Sequence, residues 1–309
     1  MTDKTTSSSN PKKRRTYEQK LIDKARNMQE ALDLEIYSLQ NILNDALSQD
    51  AYLDWDSMKR SPLHIPFKDE PKLKDYVPET PSNLHNMPLI WKVYFEQQYG
   101  QGKSRYLADK AAYDTRVKSR RENVDRRNRK SERQKLSFFK GRPRAVKSYF
   151  NKVLHASKYP PSFPKQYRLD YMADSRHLIV EYELPSMDIV PAVKEHRYTR
   201  KLSIITQTPM ARQLRIQLTE SVIAQIALRT IYEIFQADRT EKVDLIWFKG
   251  YAKVTDQITN KDIQLPVVRI NITRRQFLDI DLSSVDPVKY LKGLDRKFSP
   301  NLARLVSQA

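Results

Sequence analysis

The residues best spaced for chemistry in this sequence are three carboxylates, Asp170, Glu181 and Glu183. Glu181 and Glu183 alternate within HLIVEYELP, and Asp170 lies in the preceding YRLDYM. Two paired strands would turn all three to one side of a sheet, where oxygen ligands can hold a divalent cation such as Mg²⁺ for phosphodiester hydrolysis. A metal-dependent nuclease on these residues is therefore one reading. Against it, a restriction-type site wants a lysine two places after the glutamate on a central strand, and after Glu183 that place holds Pro185. The ExK spellings, Glu18 with Lys20 and Glu70 with Lys72, fall on an expected helix and in a proline-rich stretch with no sheet to organise them. The alternative for the three acids is a polar strand face paired with lysine or arginine.

Other chemistry has less to stand on. Five glycines, at 100, 102, 141, 250 and 293, make no phosphate-cradling loop. The five histidines, His64, His85, His155, His177 and His196, have no metal-ligand spacing, and no GxSxG elbow occurs. With no cysteine there can be no disulfide, thiolate metal site or cysteine nucleophile, which suits a reducing cytoplasm. No cofactor is called for unless the carboxylate reading holds, when it would be Mg²⁺.

A second pattern points to binding. Between Lys103 and Arg144 stand sixteen basic residues against five acidic, a surplus of +11 within a chain whose formal net charge is +19. On a helix that density puts cations on several faces, more than neighbouring acids can neutralise, and a polyanion would release counterions from it. The candidate contacts are Arg116, Lys118, Arg120, Arg121, Arg126, Arg127, Arg129, Lys130 and Arg133, and their contacts to phosphate would be sensitive to salt and largely blind to sequence. A solvated helix exterior is the plainer alternative.

These residues need elements to position them. Residues 1–16 are polar, end in a basic cluster and read as a disordered tail. From 17 to 49, Leu21, Ala25, Met28, Leu32, Ile36, Leu39, Leu43 and Leu47 fall at steps of four and three. The eleven-residue period, at 3.67 residues per turn, keeps that stripe nearly straight on one helix. A narrow apolar stripe needs cover. The expected partner is a second helix over 104–140, marked by Tyr106, Tyr113, Val117, Val124 and Leu136, or a second copy in a homodimer. The intervening 50–103 carries Pro62, Pro66, Pro71, Pro78, Pro81 and Pro88, and reads as an extended connector with a short helix near Leu89 to Tyr99. From 146 to 309, a helix in SYFNKVLHASKYP, strand-like runs, a long apolar helix from about Pro209 to Gln236, two further strands and short closing helices make an α+β domain. The expected fold is thus a long N-terminal, coiled-coil-like helical arm followed by helix on antiparallel sheet. No apolar run suggests a membrane span or a signal peptide, and a cytoplasmic location is expected.

The runs YFNKVLHASKYPPSFP, LIVEYELPSMDIVP, HRYTRKL, SVIAQIALRTIYEIFQAD, FKGYAKVTDQIT and VDPVKYLKGLDRKFSPNLARLV resemble the region that precedes the nuclease in bacterial Mrr-like restriction endonuclease proteins. DWDSMKRSPLHIPF and ADKAAYDTRVKSRRENVDRRNRK are similar to that group in layout. In those proteins the metal-dependent endonuclease domain follows this region. The resemblance implies that the nuclease half is absent from this chain, so no catalytic residue carries over. It implies an auxiliary part in a phage-defence restriction system: DNA engagement, dimerisation or control of a nuclease partner. A protein-interaction subunit that recruits a partner through the Leu21 to Leu47 stripe, without nucleic-acid binding, is a further reading.

Overall fold

The computed structural model describes residues 11–61, 70–160, 163–255 and 262–294. Residues 1–10 of the expected tail, and Pro62, His64 and Pro66 of the connector, lie outside them. The chain divides into two compact units, residues 1–53 with 137–309, and residues 54–136.

The first unit is built on a four-stranded sheet ordered β1-β2-β5-β6, from β1 (Tyr167–Met172), β2 (His177–Glu183), β5 (Leu245–Thr255) and β6 (Asp262–Thr273). β1–β2 and β5–β6 are antiparallel, as expected, whereas β2 and β5 run parallel, with Val180 opposite Phe248. The helix α5 (Arg212–Ala237) lies between those two strands in the chain and makes the crossover that a parallel pair needs, so the sheet is mixed. Alternation in β2 sends Leu178, Val180 and Tyr182 inward while Ile179, Glu181 and Glu183 stay half-buried on the other face.

α5 is buried nearly all round, from Leu218 to Ala237. A helix with apolar residues on every side must be covered on every side. Here α5 packs against β5, α4 (Pro143–Ala156), α7 (Pro287–Leu294), α1 (Pro11–Gln40) and α2 (Ile42–Leu47).

The eleven-residue stripe is the face that α1 and α2 bury: Ala25, Leu32, Leu39 and Leu43 are inaccessible, and Leu21, Met28, Ile36 and Leu47 half-buried. Its cover comes from α5 and from a two-stranded hairpin, β3 (Val193–Thr199) with β4 (Ile204–Pro209), and not from the second helix or second copy expected. The backbone N–H of His196 donates to Gln29 Oε1 at 2.6 Å, and Arg200 pairs with Glu18 at 3.1 Å. The first helix thus belongs with the α+β unit, and it begins at Pro11, ahead of the expected Tyr17.

The helix breaks at Asn41, where Gln225 of α5 accepts from Leu43 N–H and donates to the Leu39 carbonyl. One turn along α5, Arg229 donates to the Ile42 carbonyl, to Ser157 Oγ, to the Lys158 carbonyl and to Glu233, with its guanidinium 4.3 Å from the Tyr159 ring.

Candidate nucleic-acid interface

The second unit is organised by α3 (Leu89–Phe139), one uninterrupted helix of 51 residues, about 76 Å long at 1.5 Å per residue. The short helix and the basic helix expected from the sequence are one element. Gly100 and Gly102 lower helix propensity by about 1 kcal/mol each relative to alanine, too little to break a stretch dense in Ala, Arg, Lys, Gln and Glu. The stop is stronger: Gly141 takes φ +67°, with its N–H on the Phe138 carbonyl, and Pro143 opens the next helix.

Gly102 has a packing reason of its own. A Cβ there would stand 2.1 Å from the Tyr76 carbonyl oxygen, so the connector backbone lies directly on the helix. From that point the connector follows one face of α3. Tyr76 meets Tyr106 edge-on at 5.8 Å and donates to Asp109 at 2.8 Å, which pushes the phenol pKa up. Lys110 reaches Glu70 at 2.6 Å and Asp114 at 3.3 Å. Arg60 and Asn128 bond reciprocally, backbone to side-chain amide, at 3.0 and 2.8 Å. Lys59 bridges Asp56 and Glu132 at 2.7 and 2.9 Å, and Lys135 holds the other oxygen of Asp56 at 3.1 Å. Those two lysines hold the Asp56 carboxyl below its usual range, and Asp56 in turn raises Lys59. Tyr106, Tyr113, Val117 and Val124 of the expected stripe are on this covered side, whereas Leu136 is 53% exposed and off it.

All nine basic candidates, Arg116, Lys118, Arg120, Arg121, Arg126, Arg127, Arg129, Lys130 and Arg133, are exposed. The acids that pair on this helix, Asp114 and Glu132, go to Lys110 and Lys59. Among the described residues no acid forms an ion pair with Arg116, Lys118, Arg121, Arg126, Arg127, Arg129, Lys130 or Arg133. Arg120 and Arg127 also line a recess of about 760 Å³ with Lys59, Arg60 and Asn123. Lys59, already paired with Asp56 and Glu132, and Arg60 were not singled out in the sequence. Their signal was faint, a KR pair at the edge of the proline-rich stretch.

Comparison with protein-family models, with curated proteins and with solved structures finds no match to this chain.

The three carboxylates stand together on one face of the four-stranded sheet, because Arg168 faces Glu181 and Asp170 faces Ile179 across the β1–β2 pair. Each meets a lysine: Asp170 with Lys147 of α4 at 3.1 Å, Glu181 with Lys249 at 3.6 Å, Glu183 with Lys253 at 2.7 Å. Lys147 keeps the Asp170 carboxyl below its usual range. Among the described residues no group of three His, Asp or Glu side chains is arranged to hold a metal ion, and no helix is long and apolar enough to cross a membrane.

Proposed function

We propose that this chain is a nucleic-acid-binding component that grips phosphate backbone through the exposed cations of α3. The carrying observation is that Arg116, Lys118, Arg126, Arg127, Arg129, Lys130 and Arg133 face solvent without an acidic partner among the described residues, while Asp114 and Glu132 of the same helix are held by Lys110 and by Lys59 of the connector. Such a helix is incomplete electrostatically, and condensed counterions leave it when phosphate arrives. The choice of DNA, and of a non-catalytic place in a phage-defence restriction system with the cutting done by a separate nuclease, rests on the resemblance of the sequence runs alone.

A mobility-shift titration at several salt concentrations tests the proposal. Affinity falls with a log–log slope of about −0.9 for each phosphate engaged on duplex DNA. Absence of binding at low salt ends it.

A second reading, self-association through the start of α3, has one observation in its favour. Leu89, Ile90, Trp91, Val93 and Tyr94 are all more than half exposed, a concentration of apolar surface that monomers rarely carry. Light scattering on the full chain and on Ile90→Glu separates the readings, since only this one requires a mass that falls with the substitution. The Leu21 to Leu47 stripe does not serve recruitment, because its own unit buries it.

A further inference from the structure

The positions of the exposed cations around α3 say more than their number. At 100° per residue, the connector face runs through Tyr106, Tyr113, Val117 and Val124. Arg116 and Arg127, eleven residues and three turns apart, line one flank of that face. Lys118 and Arg129, with the same separation, line the opposite flank. Between the flanks, on the side turned away from the connector, are Ser119, Glu122, Arg126, Lys130 and Arg133, all exposed, and Asp125 lies beside Lys118 and Arg129; the cations outnumber the two acids on this side. Among the described residues none of the five cations Arg116, Lys118, Arg126, Arg127 and Arg129 is in an ion pair.

A helix resting on a phosphate surface needs cations on one side only. Cations on two opposite flanks, with the back of the helix already covered, suit a channel with an anionic wall on either side. The major groove of B-form DNA is such a channel: it is about 12 Å wide, and a helix with side chains is about 10–12 Å across. The A-form groove of duplex RNA is too deep and narrow to admit a helix, and a single strand has only one phosphate row.

We infer that α3 of this protein inserts lengthwise into the major groove of B-form duplex DNA, with Arg116 and Arg127 on one phosphate wall, Lys118 and Arg129 on the other, and Arg126 directed at base edges. Arginine donates to O6 and N7 of guanine in that groove, so Arg126 is the residue placed to add sequence preference to backbone binding. This inference rests on the phosphate-binding reading above and narrows it to one ligand form.

The experiment is a fluorescence-anisotropy titration of the full chain against duplex DNA, duplex RNA and single-stranded DNA of one sequence at one salt concentration. Duplex DNA is expected to bind at least about tenfold more tightly than either alternative, a difference of about 1.4 kcal/mol. A major-groove ligand such as methyl green should displace the protein, and a minor-groove ligand such as netropsin should not. Arg116→Ala with Arg127→Ala, and separately Lys118→Ala with Arg129→Ala, should each reduce the salt slope by about 2. Equal affinity for the three probes, displacement by netropsin alone, or a slope that responds to only one of the two pairs would overturn groove insertion while leaving phosphate binding in place. Failure to bind any probe removes the phosphate reading itself. All four positions are exposed, so far-UV circular dichroism is expected to be unchanged in both variants.

Discussion

Arg229→Met tests how the α+β unit is held together. The Arg229 and Glu233 side chains are only 2% and 7% exposed. The guanidinium donates to Glu233 at 2.8 Å, to the Ile42 carbonyl at 3.0 Å, to Ser157 Oγ at 2.9 Å and to the Lys158 carbonyl at 2.8 Å. One side chain thereby joins α5, α2 and the segment after α4. Methionine fills similar volume but leaves Glu233 with Ser157, at 2.6 Å, as its one remaining hydrogen-bond donor among the described residues and leaves two carbonyls without this partner. Breaking a buried pair from one side costs about 3–5 kcal/mol, chiefly because the other charge is stranded.

The deficit has a pH signature. Burial already pushes the Glu233 carboxyl above its usual range, and Arg229 and Ser157 pull it back. Without Arg229 it rises further. A carboxyl with a raised folded pKa is most favourable to the fold below its unfolded value, about 4.3, and that contribution is lost as pH climbs through the folded value. The gap between wild type and Arg229→Met should therefore widen from pH 5 to pH 8. Hydrogen exchange of α5 amides, read by mass spectrometry beside urea titration, reports this unit separately from the other. Replacing Glu233 by Leu as well should recover part of the loss. A deficit below about 1 kcal/mol, or one that does not change with pH, would show that the ion pair does not hold these elements together.

Other substitutions reach other joints. Gly102→Ala drives a Cβ into the Tyr76 carbonyl and should cost about 1–3 kcal/mol of connector docking, seen as faster exchange and proteolysis over residues 73–84. Gln225→Ala strands Leu43 N–H at the break between α1 and α2; a loss of about 1–3 kcal/mol, with exchange rising in residues 36–47, is expected. Mg²⁺ or Mn²⁺ should leave the thermal midpoint of the protein unchanged and plasmid DNA uncut, since Asp170, Glu181 and Glu183 each meet a lysine; metal-dependent cleavage lost in the triple alanine variant would restore the nuclease reading.

Much of the fold was legible because it follows from periodicity. The eleven-residue stripe marked the covered face of α1, though it missed Ile42 and Ala46, which α2 also buries, and the alternation in HLIVEYELP marked the inward face of β2. What covers a stripe is a question of long-range packing, which periodicity does not encode. The β3–β4 hairpin that covers it is written in polar residues, KEHRYTRKLSIITQTP, with little apolar alternation to reveal it. The parallel β2–β5 pairing was implicit in a strand, a long helix and a strand. The Arg229–Glu233 pair was visible as an i,i+4 spacing inside an otherwise apolar face, a local conflict that only a buried partner resolves. For the interface, the sequence showed which cations exist. Only the folded connector shows which side of α3 remains free.

That connector also separates two kinds of cation. Lysine does the structural pairing: Lys59, Lys110 and Lys135 reach Asp56, Glu132, Glu70 and Asp114 through single ammonium contacts. Exposed ion pairs of this sort are individually weak, so the docking depends on their number and on the Tyr76–Tyr106 contact. Arginine dominates the solvent side, and its planar fork binds phosphate or guanine with two parallel hydrogen bonds, which an ammonium cannot do. Because these lysines already hold the four acids, the acids left on the solvent side of α3 are Glu122 and Asp125, and the exposed arginines and lysines outnumber them.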